Sequence, residues 1–341
     1  MKTTLFTLFL TLVTASLQAQ LKTCTYWTTP IMSEQSATQL SKDDLLIIDY
    51  ENLWNNRESI EKIRKLNPKV KILIYSNPME VWDKTRDNRT IANELLAKLP
   101  KEYRLKRSDG KPAVFWKGMQ MMNLTTKCPK VDGKDYIDYY SSWIAAKVLQ
   151  DPLIDGYFVD NGTPTISWVD SKIDADNNKV PDPKAALDAW WKEGMTRFLK
   201  EVRKGMKPGS ILVTNKGERH FFPLNDGVMF ERFPNDYIGG KLDGGWHQSM
   251  KNAADAGKYT IFQVDLKDAE FGMASSLLLD NVYVAVTQNM SMPNNQRYDV
   301  GKPLGKAYKK GKEYIRDYQN ATVIVIPSTR TGKIVLKDKP S

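Results

Sequence analysis

Histidine and cysteine are scarce in this chain, with two of each among 341 residues. His220 and His247 stand apart, and Cys24 and Cys128 form no pair at ligand spacing. A zinc-type centre, which draws three or four such ligands from closely spaced positions, is therefore excluded. No glycine-rich phosphate loop, Gly-x-Ser-x-Gly elbow or zinc motif occurs, so the sequence calls for no cofactor and no metal. Long apolar runs are also missing. The run at residues 5–13 is too short to span a bilayer, and nothing later resembles a membrane helix. That run follows Lys2 and leads to Leu17-Gln18-Ala19, the layout of an export signal cut after Ala19. Residues 1–19 are accordingly expected to be a signal peptide, and the protein to be secreted or periplasmic. In an oxidising compartment a Cys24–Cys128 disulfide would close a loop of about 100 residues and contribute about 4 kcal/mol. Two free buried thiols are the alternative.

Arginine-rich blocks are absent too. The formal charge is +10, but the lysines are scattered and no nucleic-acid motif accompanies them. A solvated basic surface is the expected reading, without a nucleic-acid partner, and attraction to acidic glycans stays open.

What is present is an alternation of short apolar runs and amphipathic stretches. Strands are predicted at 25–28, 45–51, 71–77, 154–160, 210–215, 227–231, 259–265 and 282–287. Helices are predicted at 59–66, 91–99, 136–149, 185–206 and 248–256. Strand and helix in turn indicate an α/β protein with a parallel sheet, and about eight strands favour a closed (β/α)8 TIM barrel. The tail differs: residues 321–327 and 333–336 read as two antiparallel strands. The expected organisation is a signal at 1–19, a barrel domain at 20–310 and a small C-terminal β-hairpin at 311–341 packed on the barrel, in a monomer.

The segment Asp155-Gly156-Tyr157-Phe158-Val159-Asp160-Asn161-Gly162 reads as a buried strand that stops abruptly in a carboxylate, an amide and a glycine. Strands of a parallel barrel are buried on both faces, so polar groups survive at their C-terminal ends, where barrel enzymes do chemistry. Glu51, Asn77, Asp160, Asn215, Glu231 and Asp265 all end predicted strands. Cleaving a glycosidic bond takes two carboxyl groups, one to protonate the leaving oxygen and one to attack the anomeric carbon or activate water. Asp160 and Glu231 are the candidate catalytic pair, their strands separated by one other. Asp160 is cast as nucleophile or base beside Arg232 and Lys216. Glu231 is cast as acid, with its pKa raised by apolar neighbours such as Phe233. Candidate substrate-binding residues are Asp49, Glu51, Tyr75, Asn77, Trp116, Asn161, Asn215, Lys216, Arg232, Trp246 and Asp265.

Aromatic rings with a polar edge suit the faces of pyranose sugars. Trp82, Trp116, Trp168, Phe233, Trp246 and Tyr298 fall in predicted loops or near strand ends, and Gly244-Gly245-Trp246 reads as an exposed aromatic on a mobile loop. Trp190 and Trp191 lie in a predicted helix and are assigned to the core. Acids alternate along 174–182 as in calcium loops, but Lys179 stands where such loops require glycine and Ala185 where the bidentate Glu belongs. A solvated turn is expected there.

Three stretches carry a family resemblance. They are Asp155-Gly156-Tyr157-Phe158-Val159-Asp160-Asn161; the run from Asp182 through Trp190-Trp191-Lys192-Glu193-Gly194-Met195-Thr196-Arg197-Phe198-Leu199 to Val213-Thr214-Asn215; and Tyr314-Ile315-Arg316-Asp317-Tyr318-Gln319-Asn320-Ala321-Thr322-Val323-Ile324-Val325. In these the chain resembles the secreted glycoside hydrolases predicted as TIM barrels in bacterial genomes, related to the α-galactosidase-like superfamily. Ala321 and Ile326 depart from that group, which has Gly and Asn there. The resemblance implies a nucleophile at Asp160 and an acid/base near Glu231. The expected function is hydrolysis of an oligo- or polysaccharide, with retention as the working mechanism. The rivals are a noncatalytic glycan-binding barrel and a metal-dependent hydrolase on the same fold.

Overall fold

The computed structural model describes residues 21–216, 219–234, 242–287 and 298–337, so the expected export signal lies outside the described residues. Eight parallel strands form one sheet: β1 (Cys24–Trp27), β2 (Leu45–Asp49), β3 (Lys71–Ser76), β4 (Gly156–Val159), β5 (Ile211–Asn215), β6 (Gly227–Phe230), β7 (Thr260–Asp265) and β8 (Val282–Thr287). Each strand pairs with the next in chain order. A parallel bridge from Thr23 to Val284 closes the ring, with the Val284 N–H donating to the Lys22 carbonyl at 2.9 Å. The result is the expected (β/α)8 barrel.

Period-two alternation sorts the strand residues. Leu45, Ile47, Leu73, Phe158, Ile211, Val213, Met229, Ile261 and Ala285 fill the barrel interior with Cys24. Leu46, Ile48, Ile72, Ile74, Tyr157, Val159 and Leu212 point outward into a second layer with the surrounding helices. These include α1 (Glu34–Leu40), α2 (Arg57–Leu66), α3 (Thr90–Lys98), α4 (Tyr136–Ile144), α5 (Lys184–Gly205), α6 (Leu242–Asp255) and α7 (Ala269–Leu277). The inward parity continues to Asp49, Tyr75, Asp160, Asn215, Glu231 and Asp265. That parity, rather than the mere presence of acids, aims these side chains at the barrel axis on one rim.

Three elements refine or differ from the sequence expectation. After β8 the chain forms a four-stranded antiparallel sheet instead of a hairpin: β9 (Tyr308–Lys310), β10 (Glu313–Asp317), β11 (Ala321–Ile326) and β12 (Thr331–Leu336). Neither β9 nor β10 was expected; the residues of β9 are exposed and polar, leaving no buried face to read. The sheet is fastened to the end of α7, where the buried Arg316 pairs with Asp280 at 2.5 Å and the Tyr318 hydroxyl donates to the Leu277 carbonyl at 2.5 Å. Second, where the sequence left a disulfide and two free thiols both open, Cys24 and Cys128 are free and buried in different packing clusters. Third, α6 begins at Leu242 instead of 248, because residues 246, 250 and 253 have helical spacing and bury one face. Among the described residues no helix is long and apolar enough to cross a membrane.

Candidate active site

Ser76 stands opposite Val159 and Val159 opposite Thr214, so Asp160 and Asn215 are level at the rim, while Asn215 stands opposite Met229, two residues before Glu231. The inward parity nonetheless brings Glu231 within reach of Asn215. Asn215 stands between the two acids. Its amide nitrogen donates to Asp160 Oδ1 at 2.8 Å and to Glu231 Oε2 at 3.1 Å. One NH2 group serves both carboxyls, which keeps the two acceptor oxygens within about 6 Å of each other. Asp160 receives two further donors, the Tyr75 hydroxyl on Oδ2 at 2.7 Å and the Asn161 N–H on Oδ1 at 2.8 Å. Its orientation is thus fixed from three sides. Below it Tyr26, Tyr75 and Phe158 pack ring against ring, with centroids 5.6–6.1 Å apart, and form an aromatic floor. Burial, and then the Asp160 charge, push the Tyr26 and Tyr75 hydroxyls well above the usual phenol range, so both remain donors.

The two acids differ in environment. Burial raises the Glu231 carboxyl above its ordinary value, and the Asp160 charge adds to this; Asn215, Arg232 and Lys216 pull it part of the way back. Glu231 itself is held by its turn. Gln263 on β7 accepts the Arg232 N–H on its side chain at 2.6 Å and the Phe233 N–H on its carbonyl at 2.7 Å. The residues that follow Asp160, Asn215 and Glu231 share a backbone state: Asn161, Lys216 and Arg232 all have positive φ, of 51°, 67° and 51°. In two of the three turns the preceding side chain accepts the N–H, from Asn161 onto Asp160 and from Lys216 onto Asn215. Left-handed non-glycine residues cost about 1–2 kcal/mol each, so three in succession around the rim mark a region where geometry is held against local preference.

The expected binding residues separate into two groups. Tyr75, Asn161, Asn215, Lys216 and Arg232 lie at the carboxyl pair. Asp265 stands at the end of β7, opposite Thr287. Trp116 is exposed, and its neighbour Phe115 meets both it and Trp168 edge-on, at 5.2 and 5.1 Å. The Lys216 ammonium lies over the Trp168 ring at 4.9 Å. The other residues require correction. Glu51 is fully enclosed, and its carboxylate takes the N–H groups of Ile91 and Ala92 at 3.1 and 2.8 Å, capping the start of α3. Asp49 is buried against Arg89 at 2.5 Å and takes the Glu51 N–H, so it braces the rim from within. Asn77 is engaged by Glu80 and by the Met79 N–H. Trp246 is buried in α6, not exposed on a loop, and donates its indole N–H to Ser275 at 2.9 Å. Phe233 is buried, stacked on Phe262 at 3.8 Å. Trp191 is core as expected, whereas Trp190 is half-buried under the Lys127 ammonium.

Sequence reasoning missed Tyr26, Gln263 and Glu80. Inward parity from Cys24 would have found Tyr26, and inward parity from Ile261 would have found Gln263. Glu80 lies in a short strand, Glu80–Trp82, which pairs with Met119–Met121 just beyond β3, and no local pattern announces it. In the loop at 174–182 Asp174 is buried rather than solvated. Its carboxylate takes the Asn178 and Lys179 N–H groups, and oxygens of Asp174, Asp176 and Asp182 converge within 4.8 Å.

The fold is similar to that of AmyB, a maltogenic α-amylase from Thermotoga neapolitana, at 10% identity and a TM-score of 0.53 over 90% of this chain and 86% of that one. It is also similar to the cycloalternan-forming enzyme of Listeria monocytogenes, at 10% identity and a TM-score of 0.51 over 81% of this chain and 29% of that one. At such identities the likeness is one of fold. No curated protein matches the sequence significantly. Residues 64–322, most of the chain, match the family described as hypothetical glycosyl hydrolase family 15. On that match, and with a barrel whose rim gathers two carboxyl groups, the chain belongs to hypothetical glycosyl hydrolase family 15.

Proposed function

We propose that the protein is a glycoside hydrolase that cleaves an oligo- or polysaccharide with retention of anomeric configuration, Asp160 acting as nucleophile and Glu231 as acid/base. The observation that carries this reading is the single Asn215 amide that serves both carboxyls. Two carboxyls held on one amide favour direct attack, whereas inversion needs roughly 6.5–9.5 Å between them to admit a water.

In this mechanism Glu231, its carboxyl raised above its ordinary value by burial, gives its proton to the glycosidic oxygen as the bond to the anomeric carbon breaks. Asp160 Oδ forms the new bond to that carbon. Glu231, now a carboxylate, takes a proton from water, whose oxygen displaces Asp160 and restores both groups. No cofactor enters. Tyr75, Asn161 and Asn215 keep the nucleophile aimed, and Arg232 and Lys216 offset charge around the pair. We further propose that the protein works outside the cytoplasm as a monomer.

The test is a panel of polysaccharides and oligosaccharides with reducing-end detection. Wild-type protein should release reducing ends from at least one member. Asp160→Asn should abolish turnover, and Glu231→Gln should lower kcat by about 10²–10⁴-fold. The anomer released first, read by proton NMR, should match that of the substrate. Release of the opposite anomer counts against retention, and full activity in Asp160→Asn ends the assignment.

A further inference from the structure

Beyond the cleaving pair, and besides Asp49 and Asp265, the rim carries another acid that the mechanism does not use. Glu80 is 3% exposed. One carboxylate oxygen accepts the backbone N–H of Trp116 at 2.9 Å, and the other accepts the Asn77 side-chain amide at 3.0 Å. Asn77 is in turn fixed by the Met79 N–H at 3.0 Å. Burying a carboxylate is costly unless its oxygens are satisfied, and here one is satisfied by Asn77 and the other by the backbone of an exposed tryptophan. Trp116 and Trp168 are 59% and 44% exposed, with the Phe115 ring between their indoles. These rings come from two different rim loops, one after β3 and one after β4. The Lys216 ammonium over Trp168 ties in a third loop, after β5. Burial pushes the Glu80 carboxyl up to about 6, and the Asp160 charge contributes in the same direction, which places Glu80 within electrostatic reach of the reacting centre.

We infer that Glu80 is a positioning residue: its carboxylate holds the Trp116 backbone so that Trp116, Phe115 and Trp168 form a platform for a pyranose ring beyond the cleaved bond. The inference rests on the hydrolase reading and deepens it. The site takes a chain of sugars, and one ring other than the cleaved one stacks on exposed indoles through its apolar C–H face. A neutral amide at position 80 cannot replace the carboxylate. It accepts from one donor and turns its own NH2 toward the other, and flipping Asn77 to compensate removes the acceptor that Met79 uses.

The experiment compares wild type, Glu80→Gln, Trp116→Ala and the double variant Glu80→Gln/Asn77→Asp. The probes are malto-, isomalto-, cello-, xylo- and chito-oligosaccharides of two to six units, together with aryl monoglycosides of the same sugars. Glu80→Gln and Trp116→Ala should each raise KM for the longer oligosaccharides about 10-fold, with kcat nearly unchanged. KM for the aryl monoglycoside should not move. The double variant restores complementary donors and acceptors at unchanged net charge, and should recover the wild-type KM. An equal effect on the monoglycoside, a fall in kcat, or no effect of Glu80→Gln overturns the inference while leaving the hydrolase reading intact. Absence of wild-type turnover across the whole panel overturns both. Trp116→Ala alters only an exposed ring, so it reads the platform even if Glu80→Gln folds poorly, and an unaltered KM in that variant also overturns the inference.

Discussion

At the residue scale the site is a contest between local preference and function. Arg232 is exposed, has φ of 51°, and follows Glu231 directly. Its backbone state suits glycine, and its charge is among the groups that pull the Glu231 carboxyl down against the effect of burial. Arg232→Gly should therefore do two things. Stability should rise by about 0.5–1 kcal/mol, measured by chemical denaturation. The alkaline limb of the kcat profile should move to higher pH, because Glu231 must be protonated to act and would hold its proton longer. A limb displaced toward acid would contradict the assignment of Glu231 as the acid. Individual residues were legible in the sequence where they continue a strand's parity, as Asp160, Asn215 and Glu231 do. Glu80 was not legible, because its partners are a backbone N–H 36 residues away and a tertiary pocket. Trp246 was misread because the preceding glycines signalled a loop, although its spacing to Met250 and Ala253 is helical.

At the element scale the geometry of the pair depends on how closely β4 and β5 approach. Gly156 opens β4 directly opposite Ile211, and a Cβ at that position would land on the Ile211 backbone carbonyl. Backbone cannot step aside as a flexible side chain can. Gly156→Ala should cost about 1–3 kcal/mol or more and shift Asp160 relative to Asn215, reducing kcat more than KM. Thermal melting and steady-state kinetics on one preparation check both, and a variant that melts and turns over like wild type would show that this contact does not set the pair. The glycine of the Asp155-Gly156 motif was visible in the sequence, but its reason, the neighbouring strand, was not. The barrel strands were readable because burial on both faces leaves continuous apolar runs. The ribbon of Glu80–Trp82 and Met119–Met121 was not, since three-residue strands joined across a long excursion leave no period to detect.

At the scale of the whole molecule, the barrel gathers carboxyls that would rather be neutral. Burial raises Asp49, Glu51, Glu80 and Glu231 above their ordinary values, and Glu80 reaches about 6. A carboxyl whose pKa is higher in the folded than in the unfolded state takes up its proton first in the folded protein. Its contribution to stability is therefore fully present below the ordinary carboxylate range and is lost as pH rises through the folded value. The free energy of unfolding should accordingly decline between about pH 4.5 and 6.5, with Glu80 alone responsible for on the order of 1–2 kcal/mol. The chain is also basic, and its +10 charge adds repulsion on acidification that works the other way. The decisive quantity is therefore the difference between wild type and Glu80→Gln, in which that background cancels. Urea titrations at half-unit pH steps should show the variant losing less stability than wild type as pH rises through 6. Parallel pH profiles for the two proteins would mean that the Glu80 carboxyl titrates in the fold as it does in the open chain, and that the rim holds its acids at no cost to the molecule.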